Sequence, residues 1–99
     1  MYKLLIFLKK TDKEEIIDLF NNQTLKHLSD LVGEKIKTAD IESNLLMETK
    51  YAKYCEVSVS SKDEWDKKMN SRAGKELNKH LMNMHQFIDL IFVNYPDEG

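Results

Sequence analysis

Residues 54–74 read YCEVSVSSKDEWDKKMNSRAG, and the period of the pattern changes in the middle of them. Over residues 54–60 apolar and polar side chains alternate, with Cys55, Val57 and Val59 on one face and Tyr54, Glu56, Ser58 and Ser60 on the other. That period of two is a strand with one apolar side. Ser61 and Glu64 then form a capping box, in which the serine hydroxyl accepts the Glu64 N–H and the glutamate returns the bond, so a helix starts at Lys62. Trp65 and Met69 open its apolar stripe, Gly74 interrupts it, and Leu77, Leu81 and Met84 continue it.

The flanking segments complete the order of elements. Residues 2–8, YKLLIFL, are apolar on both parities, Leu4, Ile6 and Leu8 against Leu5 and Phe7, as in a strand buried on two faces. Residues 87–95, FIDLIFVNY, have the same character and are closed by Pro96, leaving Asp97, Glu98 and Gly99 as a solvated tail. After Thr11 and Asp12, which can cap a helix, Ile16, Ile17, Leu19, Phe20, His27, Leu28 and Leu31 recur at steps of three and four, with Glu14 and Glu15 in the first turn and Gly33 at the end. The polar stretch NNQT at residues 21–24 is a poor helix former and marks a place for a break in this one helix. Residues 34–43, EKIKTADIES, alternate weakly like an edge strand, and Lys35 and Lys37 discourage edge-to-edge pairing. The order β-α-β-β-α-β predicts an α+β, ferredoxin-like split βαβ fold over residues 1–99 as one domain: a four-stranded antiparallel sheet with two helices on one face.

Composition narrows the class. With 99 residues and 41% apolar content the chain can build one core without staples. Its 15 basic and 17 acidic residues nearly balance, which argues against nucleic-acid binding. The lone Cys55 excludes an internal disulfide and a cysteine-based zinc site and fits a reducing compartment, so a cytoplasmic location is expected. The apolar run at residues 4–8 is too short for a signal sequence or a membrane span. Three scattered glycines make no phosphate loop, and no cofactor is expected.

Two helices can hide only one face of the sheet. Leaving Leu5, Phe7, Ile88, Leu90 and Phe92 wet would forgo on the order of 10 kcal/mol as an upper bound, so a homodimer formed through the free face is expected.

This arrangement resembles the dimeric α+β barrel superfamily, and within it EthD-like proteins. The likeness rests on KLLIFLKK at the N-terminus, on Phe20 through His27 and Leu28 to Leu31, Val32 and Gly33, and on VSVSSKDEWDKKMNSRAG with its Ser-x-x-Gly break. Where the family's histidine is commonly followed by a small residue or proline and then leucine, His27 is followed by Leu28 and Ser29. The resemblance implies a small-molecule-binding protein or a cofactor-independent enzyme of oxidoreductase, isomerase or cyclase type. It would act on a small, largely apolar compound between helices and sheet.

His27 is the candidate catalytic residue. Ile16, Phe20, His27 and Leu31 are spaced by four, seven and four, which puts the imidazole on the sheet-facing stripe. Two readings stand: a core histidine satisfied by a carbonyl or a tyrosine, and a cavity liner suited to proton transfer. Phe7, Phe20, Tyr54 and Trp65 are the candidate pocket-lining residues. Met69 could join Trp65, and Tyr51 could add a second hydroxyl. His80 and His85, five apart, do not share a helix face and read as surface or helix-end residues, and Cys55 reads as an inert buried thiol. The alternative is a non-catalytic ligand-binding or regulatory module of ferredoxin-like fold, with its ligand at a subunit interface.

Overall fold

The computed structural model describes residues 1–42 and 48–96. Strands β1 (Tyr2–Lys9), β2 (Thr38–Asp40), β3 (Tyr51–Val59) and β4 (Ile88–Asn94) form one antiparallel sheet in the order β2-β3-β1-β4. The expected β-α-β-β-α-β order holds, with β1 and β3 central. Each helical stretch has two α-helical parts: α1 (Glu14–Leu19) and α2 (Leu25–Val32), then α3 (Lys62–Met69) and α4 (Arg72–Asn83). The core lies between these helices and one sheet face. Leu4, Ile6 and Leu8 of β1 and Cys55, Val57 and Val59 of β3 meet Phe20, Leu28, Trp65, Leu77 and Leu81 there, all buried.

The first helical stretch is continuous but not uniform. Phe20–Thr24 is a π-helical turn joining α1 to α2, at the place where the sequence NNQT predicts a break. A π turn takes more residues per revolution than the roughly 3.6 of an α-helix, so it delays everything after it around the axis. The buried ladder becomes Ile16, Phe20, Thr24, Leu28 and Leu31, while His27 is only partly buried. The spacing that places His27 on the sheet-facing stripe assumes an uninterrupted α-helix, and the wide turn moves it to the edge. Gly33, in the left-handed region at φ 73°, ends α2 as its sequence position predicts. The start differs: α1 begins at Glu14 after Lys13, and the Thr11 hydroxyl accepts the Lys13 N–H just outside the helix.

In the second stretch the Ser61 hydroxyl accepts the Glu64 N–H, as predicted, but the Glu64 carboxylate reaches back to Ser60. The interruption comes at Asn70 and Ser71 rather than at Gly74. Ser71 caps α4 by accepting the Gly74 N–H, 3.1 Å.

Strand lengths also shift. β2 is three residues long against the ten of residues 34–43, of which Ser43 lies outside the described residues, as do Asp97, Glu98 and Gly99 of the predicted tail. Register corrects the assignment of β4 to the two faces. Ile88, Leu90 and Phe92 pair with Leu8, Ile6 and Leu4, so they share the helix-facing side; the free face takes Asp89, Ile91 and Val93, opposite Phe7, Leu5 and Lys3. Because both parities of β4 are apolar, the sequence alone cannot phase it.

Candidate ligand site

The five residues singled out from the sequence fall in three places. Phe20 is fully buried in the core, and Trp65 is buried with its edge toward the Phe92 ring, centroids 5.5 Å apart. Phe7 and Tyr54 lie side by side on the free face of the sheet. His27 faces α4 instead of the sheet: its ring lies 5.0 Å from that of His80, in a shallow groove of about 180 Å³ that Glu76, Lys79 and Asn83 also line. His80, read from the sequence as a surface residue, is partly buried, and its Nε2 sits 2.6 Å from the fully buried Thr24 Oγ1. Burial, and then the neighbouring His27, lowers the His80 pKa. His85 is exposed, with Nδ1 2.8 Å from the Met82 carbonyl.

Strand alternation builds the free face. Phe7 on β1 lies between two tyrosines of β3, its ring 4.9 Å from Tyr51 and 5.1 Å from Tyr54, and Leu5, Ile91 and Val93 extend the apolar area. Both tyrosine hydroxyls are held by carboxylates. Tyr51 donates to Asp89 at 2.5 Å, and Tyr54 donates to Glu56 on the same strand face. Lys3 pairs with Glu56 at 3.2 Å, and Lys9 and Lys50 each approach Asp89 at 3.8 Å. The hydrogen bond from Tyr54, then Lys3, holds the Glu56 carboxyl below its ordinary range; burial and Glu56 raise the Tyr54 phenol well above its own. Tyr51 does the same for Asp89.

Tyr54 and Glu56 also reach a second feature. Among the described residues β2 pairs with β3 only from Lys53 to Cys55, and no strand lies beside the outer edge of β3 beyond Cys55. A cleft of about 540 Å³ opens there between β3 and the segment after α2, lined by Val32, Ile36, Thr38, Tyr54, Glu56 and Val57 among others. Its size suits a small molecule, since such pockets run about 300–1,000 Å³. It mixes aliphatic walls with one polar pair. Glu56 was not singled out from the sequence, although Tyr54 and Glu56 two apart on a strand necessarily share a face; the short β2 that opens the cleft gives no signal there. Cys55 is buried and its thiol is pushed up to about 12 by burial and by Glu56, which suits the inert reading. Among the described residues no group of three or more His, Cys, Asp or Glu side chains is placed to hold a metal ion, and no helix is long and apolar enough to cross a membrane.

No protein-family model and no curated protein matches the chain. Solved structures do. An ethyl tert-butyl ether D (EthD) family protein of Bacillus halodurans superposes with a TM-score of 0.80 at 18% identity, covering 97% of this chain and 99% of that one. SnoaB, a cofactor-independent oxygenase of Streptomyces nogalater, solved as a point mutant, gives 0.56 at 8% identity over 98% and 93%. A dimeric protein of unknown function and ferredoxin-like fold from Bacteroides fragilis gives 0.51 at 15% over 95% of both chains. At these identities the likeness is one of fold: the chain has a ferredoxin-like fold, which it shares with the EthD family protein.

Proposed function

We propose that the protein binds a small, largely apolar compound carrying a hydroxyl donor in the cleft at the β3 edge, and that it does so as a homodimer whose partner covers the neighbouring free face. The observation that carries this reading is the Tyr54 and Glu56 pair, which belongs to both the free face and the cleft. A carboxylate fixed by Tyr54 and Lys3 can accept a hydrogen bond from a ligand hydroxyl without moving, while Val32, Ile36 and Val57 take its apolar body. The dimer is supported by the dimeric neighbour of the same fold and by the charge pattern of the face. Lys3 with Glu56, and Lys9 with Asp89, cancel locally, so a second copy of the same surface meets no net repulsion.

Binding is favoured over catalysis. A carboxyl held below its ordinary range is a weak proton acceptor, and His27, the other candidate, lines none of this cleft. The groove beside His27, about 180 Å³, is smaller than most small-molecule sites.

The test uses 1-naphthol as probe, with amide NMR shifts as readout. Shifts clustering at residues 36–38 and 54–58, and weakened at least tenfold in affinity by Glu56→Gln, are expected; shifts scattered over the surface or gathered at His27 would sink the reading.

A further inference from the structure

We propose that His27 and His80 form a two-histidine site for a late first-row divalent metal ion, zinc, nickel or copper, bridging α2 and α4. The rings belong to different helices and lie with centroids 5.0 Å apart at 36°. Two imidazoles bound to one tetrahedral ion, each through a nitrogen about 2.0–2.1 Å from it, have centroids roughly 5 Å apart, which is the separation of this pair. Both histidines are partly exposed in one groove, which gives an ion a way in.

The surroundings supply what a ligating histidine needs behind it. Such a histidine uses its second ring nitrogen to donate to a fixed acceptor, which sets the tautomer and aims the other nitrogen at the ion. Thr24 Oγ1, fully buried and 2.6 Å from His80 Nε2, can serve as that acceptor: in the tautomer with the proton on Nε2 it accepts, and the Nδ1 lone pair of His80 is free for the ion. The π turn is what puts Thr24 inside the ladder and His27 at its edge. Glu76, one helical turn before His80, lines the same groove and can hold a metal-bound water, while the Lys79 ammonium there opposes binding. With two protein donors, water fills the remaining positions. Imidazole donors suit zinc, nickel and copper, so the site selects against magnesium and calcium.

The experiment follows thermal unfolding of the untagged protein with added nickel or zinc chloride, and NMR of the three histidine rings with trace copper(II). A midpoint rise of roughly 5 to 10 °C at metal tenfold over its dissociation constant is expected in the wild type and in His85→Ala. Measured against each variant's own metal-free midpoint, the rise should vanish in His27→Ala and in His80→Ala. Copper should broaden the His27 and His80 ring signals and spare His85. A wild-type rise below about 1 °C, a rise that survives in His27→Ala, or broadening centred on His85 would each overturn the site.

Discussion

Gly74 shows how one residue sets the angle between two helices. A glycine in the first turn of α4 forgoes about 1 kcal/mol of helix propensity relative to alanine, so replacement by alanine would ordinarily stabilise. Here a Cβ would fall well inside contact distance of the Lys68 carbonyl oxygen and the Met69 Cα, which are backbone atoms and cannot swing away. The Lys68 carbonyl is further pinned by the Ser71 N–H at 3.1 Å and the Ser71 hydroxyl at 2.5 Å. The steric effect wins, and Gly74→Ala is expected to destabilise by about 1–3 kcal/mol, as overpacking does. Urea melts of the two proteins measure it; a variant as stable as the wild type would mean that α3 and α4 can part at no cost. The sequence shows Ser71 and Gly74 as a break, but which of them caps and which makes room depends on the contact between the helices.

At the scale of elements, strands and caps were legible wherever one signal dominated. The β3 alternation, the Ser61 cap and the Gly33 stop are local patterns, and the structure follows them. What depended on counting through an irregular segment was not legible: a π turn leaves no mark beyond weak helix formers, yet it turns His27 from the sheet toward α4. The same turn joins the histidines to helix packing, and pH should report it. Burial and His27 depress the His80 pKa, so the folded state binds fewer protons than the unfolded chain below the ordinary histidine value of about 6.5. Stability should therefore be full above that value and fall as the pH drops from it through the folded pKa. The groups facing the pair are His27, Thr24, Glu76, Lys79 and Asn83. His80→Asn should flatten the stability profile between about pH 7 and 5. Melts across that range check it, and an unchanged slope would remove His80 as the origin.

For the whole molecule, the phase of β4 decides which apolar residues await a partner. Ile91 and Leu90 are neighbours of similar size and exposure, 45% and 42%, so a sequence reading cannot tell them apart. Register puts Ile91 on the free face beside Leu5 and Phe7, and Leu90 on the helix side opposite Ile6. If the free faces of two copies meet, Ile91→Lys buries a charge without a counter-ion in each half of the interface, which costs several kcal/mol and shifts the dimer constant by a factor on the order of a thousand. Leu90→Lys leaves its ammonium on the opposite side of the sheet, at an edge open to water. Light scattering at micromolar concentration should thus give twice the 11.7 kDa chain mass for the wild type and Leu90→Lys, and the single mass for Ile91→Lys. A helix-side interface would reverse the two variants, and a wild type at the single mass would leave the aromatic face exposed and end the dimer reading.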